Sequence, residues 1–215
     1  MNVGILGTGE VARALGTGFI GAGHVVKFGT RDPGGDKSKA LLAKVGRGAT
    51  AGSFADAAAF ADVAVLATLW TGTENALRLA GADRLAGKVV IDTTNALDFS
   101  QGPPPRLALG HVDSAGEQVQ RWLPKARVVK AFNIVGNASM VQPQFPGGHP
   151  DMFLCGNDAA AKETVGDICT AFGWPPVIDL GGIEMSRYLE PLAMIWIVYG
   201  FRTNTWNHAF KLLRK

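Results

Sequence analysis

The chain has 215 residues, 47% of them hydrophobic, with 21 Lys and Arg against 18 Asp and Glu and a formal net charge of +3. That length carries one domain plus an appendage, with enough apolar mass for a substantial core. The basic residues are scattered, which argues against nucleic acid as a partner, and two cysteines are too few for a metal cluster or a disulfide framework. The longest apolar stretch, Leu189 to Val198, is interrupted by Glu190 and Pro191 and is too short to cross a bilayer. No membrane partner and no metal are expected. The first residues already read as a core strand, so no signal peptide is expected and the expected location is cytoplasmic.

The first elements are the most informative. Val3-Gly4-Ile5-Leu6 runs into Gly7-Thr8-Gly9-Glu10-Val11-Ala12, then a helical stretch, then a second strand over His24 to Gly29 with the tip Thr30-Arg31-Asp32. This strand, glycine turn, helix, strand order is what a dinucleotide site requires. Gly7 permits the tight turn, Gly9 lets the backbone approach a pyrophosphate, and the small Ala12 lets helix and strand pack closely. The free N–H groups at the helix start then face the phosphates.

The second strand's tip selects the nucleotide. An NAD site carries an acid there for the ribose 2′-OH, whereas an NADP site uses Arg and small hydroxyls for the 2′-phosphate. Arg31 and Thr30 point to NADP(H), with Lys37 as a further cation. Asp32 lies close enough to mimic the NAD acid. Because it precedes Pro33, it is expected to be an extended turn residue.

The alternation then continues. Helix-like Ser53 to Phe60 leads to a buried strand over Ala61 to Ala67, and Thr71 to Ala80 is helical. A strand over Gly87 to Asp92 follows, then a rigid loop at Gly102-Pro103-Pro104-Pro105 and a helix from about Ala115 to Leu123. Arg127 to Asn133 reads as strand and Val141 to Pro150 as loop. Met152 to Gly156 is a strand, Asp158 caps a helix to about Phe172, and Val177 to Leu180 is the last strand. After Gly181-Gly182 the strand pattern stops, and Ile183 to Lys215 reads as helix, a bend near Gly200 and more helix.

The expected fold is therefore α/β, a Rossmann-type doubly wound and mostly parallel sheet. Residues 1–182 form the NADP-binding domain and 183–215 a C-terminal helical segment. Leu189, Leu192, Ala193, Ile195, Trp196, Tyr199 and Phe201 are too many large apolar residues for a bare tail. The segment covers its own domain, or it makes a two-fold homodimer interface.

Ligands sit at the carboxyl ends of strands in such sheets. Ala67, Thr68 and Leu69 should pass along the ribose and nicotinamide, with Trp70 a candidate wall of the substrate pocket. Thr93 and Asn95 are candidates for the nicotinamide ribose or carboxamide. The backbone of Ala131 and Phe132 could bind the carboxamide, with Asn133 aimed at the reacting centre. Lys130 and Asn133 are the catalytic candidates, and strand alternation sets them on opposite faces unless the strand has already ended. His149 is a candidate substrate contact. No G-x-S-x-G, H-E-x-x-H or P-loop lysine is present. A site without an obvious acid–base pair suits hydride transfer between rings better than carbonyl reduction.

Gly4-Ile5-Leu6-Gly7-Thr8-Gly9-Glu10-Val11, the Gly29-Thr30-Arg31-Asp32-Pro33 tip and Arg187-Tyr188-Leu189-Glu190-Pro191-Leu192 resemble the NADP oxidoreductases that use the deazaflavin coenzyme F420. Val129 to Asn133 and Phe153 to Asp158 resemble the cytoplasmic NADPH-binding domain of the six-transmembrane metalloreductases, which reduce a flavin. The resemblance implies Thr8, Gly9, Glu10, Val11, Thr30 and Arg31 as cofactor contacts, with Thr68, Leu69 and Ala131 to Asn133 along the nicotinamide half. It also implies hydride exchange between NADPH and a small redox acceptor, a deazaflavin or a flavin such as FMN or FAD. The segments Asp98 to Gly116 and Pro143 to Pro150 depart from the deazaflavin family's pattern and leave the acceptor open between the two. The membrane half of the metalloreductases has no counterpart among these residues, so ferric reduction across a membrane is not expected. Two other readings remain: an NADPH-dependent imine, carbonyl or hydroxyacid reductase, and a non-catalytic NADP sensor.

Overall fold

The computed structural model describes residues 1–215. The chain opens with β1 (Asn2–Leu6), α1 (Glu10–Gly21), β2 (Val25–Gly29), α2 (Asp36–Val45), β3 (Ala49–Gly52), α3 (Phe54–Phe60) and β4 (Val63–Leu66). It continues through α4 (Trp70–Ala80), α5 (Ala82–Leu85), β5 (Val89–Asp92), a hairpin of β6 (Leu97–Asp98) and β7 (Arg106–Leu107), α6 (Ala115–Trp122) and β8 (Arg127–Lys130). It ends with β9 (Phe153–Gly156), α7 (Ala159–Ala171), β10 (Ile178–Asp179) and α8 (Ser186–Thr203).

One eight-stranded sheet runs in the order β10-β9-β8-β5-β4-β1-β2-β3. Six strands, β3, β2, β1, β4, β5 and β8, are parallel; β9 reverses against β8 and β10 follows β9. This is the doubly wound, mostly parallel Rossmann arrangement. Alternation along each strand divides its side chains between two layers. Val3, Ile5, Val65, Ile91 and Val129 pack with α1 and α7, while Leu6, Leu66, Val90 and Val128 pack with α3, α4 and α6. Nearly continuous apolar strands are what burial on both faces demands. Helix starts follow local chemistry. Ser53 and Asp56 form a reciprocal capping box on α3, and Asp158 Oδ1 accepts from Ala161 N at 2.8 Å on α7.

The structure corrects the reading in three places. The strand read over Arg127 to Asn133 ends at Lys130, because Phe132 takes a left-handed φ of 62°. Edge strand β3, Ala-Thr-Ala-Gly, carries almost no β signal of its own and exists through its pairing with β2. The C-terminal segment is not helical to its end. Helix α8 passes straight through Gly200 and stops at Thr203, where Asn204 takes φ 50°. The chain then doubles back, and the Trp206 ring lies on Gly200 and 5.3 Å from the Trp196 ring. Trp196 Nε1 donates to the His208 carbonyl at 2.7 Å, and Leu212 N donates to Asp151 Oδ2 at 2.7 Å. The basic end at Lys211–Lys215 is therefore a folded-back tail and not a helix terminus.

Cys155 and Cys169 are both free and buried. Burial pushes their thiols up to about 11 and about 12, so neither is a thiolate at neutral pH. No helix is long and apolar enough to cross a membrane.

Candidate functional site

Five strand ends share one register. Gly29, Leu6, Leu66, Asp92 and Lys130 form a single row across β2, β1, β4, β5 and β8. The residues just beyond that row bond back to it. Gly7 N donates to Gly29 O, Ala67 N to Leu6 O, Thr93 N to Leu66 O and Ala131 N to Asp92 O, all at 3.0–3.2 Å. Thr30 N continues the crest by donating to Gly52 O at 3.0 Å. Parallel pairing thus brings Gly7, Thr30, Ala67, Thr93 and Ala131 to one edge, the edge where open α/β sheets bind ligands.

The phosphate end of this edge is shaped for a dinucleotide. Gly7 has φ 134°, and a Cβ there would lie 2.2 Å from Ala67 O, so only glycine completes the turn. At Gly9, the residue preceding α1, an added Cβ would meet nothing within 4 Å. That open space, with no side chain capping α1, leaves the first-turn N–H groups of the Thr8-to-Val11 segment available to a pyrophosphate. Glu10 on this turn is held below the usual carboxylate range by its hydrogen bond from Arg13.

At the adenosine end, Arg31 is exposed at the β2 tip, as is Lys37 in the first turn of α2. Asp32 behaves as a turn residue. Its N–H donates to Thr30 Oγ1 at 3.3 Å, its carbonyl accepts from Ser38 Oγ at 2.6 Å, and its carboxylate abuts the Gly35 Cα. It is tied to the start of α2 and does not stand as the lone acid of an NAD-type tip.

The nicotinamide end is more constrained than its sequence suggests. Leu69 is 80% exposed where α4 begins, an apolar side chain beside the crest. Thr68 Oγ1 pairs with Thr73 Oγ1 at 2.8 Å, and the Thr93 hydroxyl is spent on the Leu66 carbonyl at 2.9 Å. Asn95 and Asn133 clasp each other: Asn133 Nδ2 donates to Asn95 Oδ1 at 3.0 Å, and Asn95 Nδ2 returns a bond to Asn133 O at 2.9 Å. Asn133 Nδ2 also donates to Leu189 O at 3.1 Å, while its Oδ1 is buried without a partner. Both donors of the Asn133 amide are thus engaged, and its acceptor is shut away from solvent.

Lys130 is not at the surface at all. It is 0% exposed, with Nζ 2.7 Å from Asp92 Oδ2, 3.1 Å from Glu190 Oε1 and donating to Thr94 O at 2.7 Å. Burial alone would lower its pKa; the Asp92 and Glu190 carboxylates outweigh that and hold the amine above its ordinary value. Its stabilising effect is therefore whole below the unfolded-state value of about 10.4 and is lost only as pH rises through the higher folded value. A buried amine held charged in this way is no general acid for a bound substrate, so the catalytic candidacy of Lys130 is withdrawn.

Trp70 stacks on Trp122, with ring centroids 5.6 Å apart, and packs against the layer on the α4 and α6 face. His149 lies on an exposed loop where its carbonyl accepts from Lys211 Nζ at 2.8 Å. Trp70 opens α4 directly after Leu69, and His149 lies four residues before the start of β9.

The sheet, its crest and the glycine turn define a dinucleotide-binding oxidoreductase domain arranged for NADP(H). Comparison with known proteins agrees and goes further. The family described as NADP oxidoreductase, coenzyme F420-dependent, matches residues 2–96. A solved structure from Arthrobacter sp. FB24, described as a candidate F420-dependent NADP-reductase, is 40% identical over the whole of both chains with a TM-score of 0.94. The F420-dependent NADP reductase of Methanocaldococcus jannaschii is 33% identical over 54% of this chain and 52% of its own length. Metalloreductase STEAP3 of Rattus norvegicus is 29% identical over 89% of this chain, which spans only 36% of that protein. An imine reductase from Streptomyces aurantiacus, 15% identical with a TM-score of 0.66, shares the fold alone. The chain belongs to the NADP oxidoreductase, coenzyme F420-dependent family, a family of NADP(H)-dependent oxidoreductases.

Proposed function

We propose that this protein exchanges a hydride between NADP(H) and a deazaflavin coenzyme of the F420 type, with a flavin as the second acceptor class. The observation that carries this reading is the state of the two polar side chains at the nicotinamide end. Lys130 is wholly buried in an ion cluster, and both donors of the Asn133 amide are engaged. Reduction of an imine or carbonyl calls for a group that can deliver a proton to the substrate. Transfer between two stacked rings calls chiefly for alignment and dry surroundings. When bound, NADPH supplies the hydride from its nicotinamide C4, and the acceptor ring takes that hydride together with a proton from water, leaving NADP+. The chain's part is to hold the phosphates at Gly9 and the α1 N-terminus, to fix the loop at Thr93–Asn95, and to present the apolar Leu69 beside the crest.

The test is stopped-flow absorbance of protein and NADPH mixed in turn with the deazaflavin coenzyme, FMN and FAD. Fast single-turnover reduction of the deazaflavin is the expected result. Reduction of a flavin alone replaces the acceptor with a flavin. Tight NADPH binding without reduction of any of the three overturns the proposal in favour of a small-substrate reductase or an NADP sensor.

The same reading extends to a homodimer. Leu189 and Ala193 of α8 are buried against the domain, yet Ile195, Val198 and Tyr199 on another face of that helix are exposed. A second copy of the chain is the partner proposed for them. Light scattering is expected to give twice the chain mass of 22.6 kDa; a mass of 22.6 kDa rejects the dimer.

A further inference from the structure

Helix α8 is joined to the nicotinamide end by a buried network that the sequence patterns leave unassigned. Glu190, 1% exposed, accepts from Ala115 N at 3.0 Å and Gly116 N at 3.1 Å, the first two N–H groups of α6, and faces Lys130 Nζ at 3.1 Å. Lys130 passes the link to Asp92 and to the Thr94 carbonyl. Asp92 Oδ1 accepts from both Thr94 N, at 2.9 Å, and Thr94 Oγ1, at 2.7 Å. A second, neutral strand of the same network runs beside it: the carbonyl of Leu189, one residue before Glu190, accepts from Asn133, which clasps Asn95. Loop residues 94 and 95 therefore hang from α8 by two independent sets of bonds. The junction is also tight. A Cβ at Gly116 would lie 2.2 Å from Ser186 Oγ and 3.1 Å from Lys130 Cε, so α6 and α8 have no slack between them.

We infer that Glu190 is a positioning residue that couples α8 to the nicotinamide half of the cofactor site through Lys130, Asp92 and Thr94, beside the separate link from the Leu189 carbonyl to the Asn95–Asn133 clasp. The inference rests on the NADP(H) reading of the site and on no assumption about the acceptor. The coupling is reciprocal: a ligand that fixes the nicotinamide end steadies α8, and a change at Glu190 is felt at the nicotinamide end. The adenosine end, at Thr30 and Arg31 on the far side of β1 and β4, takes no part in this network.

Two ligands separate the two ends. NADPH carries the nicotinamide; adenosine 2′,5′-bisphosphate carries only the adenosine and the 2′-phosphate. Glu190→Gln removes the charge and turns an amide donor toward Lys130 or the α6 N–H groups, so at least one of those contacts is lost. The variant is expected to bind NADPH about tenfold more weakly while binding the bisphosphate within about twofold of wild type. Equal loss of both ligands marks a merely structural glutamate and overturns the inference, as does unchanged binding of both. Hydrogen exchange on the wild-type protein gives a reading that does not depend on the variant folding. NADPH is expected to slow exchange over Ser186–Ala193 well beyond the effect of the bisphosphate, and identical protection by the two ligands overturns the coupling. If the wild type binds neither ligand, the NADP(H) reading falls and the inference falls with it.

Discussion

Replacing Arg31 with alanine is expected to weaken NADPH binding by about 10- to 100-fold and to leave NADH binding within about twofold of wild type. Arg31 sits at the β2 tip, exposed and outside every ion pair of the fold. Removing it leaves nothing buried unpaired, so the fold is spared. A guanidinium matches a phosphate with two parallel N–H bonds, and charge-assisted bonds of that kind are worth about 1.5–3 kcal/mol. NADH lacks the 2′-phosphate and has little to lose. Asp32 does not supply an alternative NAD-type acid, because its carboxylate lies against Gly35 and its carbonyl is held by Ser38. Titration of nucleotide fluorescence against each variant measures the two affinities. Equal losses for NADPH and NADH contradict the assignment of Arg31 to the 2′-phosphate.

Lys130→Met is expected to cost about 3–5 kcal/mol of stability, a fall in Tm on the order of 10 °C. The effect is one of folding and not of chemistry. The amine is 0% exposed and is the only cation facing Asp92 and Glu190, so its loss leaves two carboxylates buried against each other. In the wild type the raised Lys130 pKa sets the alkaline limit of this contribution, which is lost as pH rises from about 10.4 through the higher folded value. Thermal melts of both proteins at neutral and at alkaline pH test both statements, with the gap between them expected to narrow in alkali. A Lys130→Met protein that melts like wild type but has lost turnover would return Lys130 to the chemistry.

Much of the phosphate half was legible in the sequence because its features are local. Gly7, Gly9 and the Thr30–Arg31 tip each follow directly from a strand end, and a turn three residues long needs no distant partner to be recognised. The Asp158 cap was legible for the same reason. The nicotinamide half was not, because its residues are set by contacts between elements far apart in the chain. Two signals were present. Val89-Val90-Ile91-Asp92 and Arg127-Val128-Val129-Lys130 each place a charge at the last position of a buried strand, and parallel register sets those charges side by side on one face. Glu190 in an apolar helical stretch supplied the third charge. What hid the cluster was the assumed extent of β8: with the strand carried on to Asn133, Lys130 looked like one more strand residue near a cleft. The left-handed Phe132 ends the strand, and no residue type announces that conformation for a phenylalanine. The tail beyond Thr203 reads as more helix, whereas contacts with α8 and the His149–Asp151 loop fold it back.

The most direct test of hydride exchange is a single turnover of this protein with the deazaflavin coenzyme and NADPH carrying deuterium at both positions of nicotinamide C4, followed by mass spectrometry of the reduced deazaflavin. Ring-to-ring transfer places a deuterium on the ring carbon of the reduced coenzyme, in ordinary water and with no exchange. An unlabelled product, or NADPH bound and never oxidised, contradicts it.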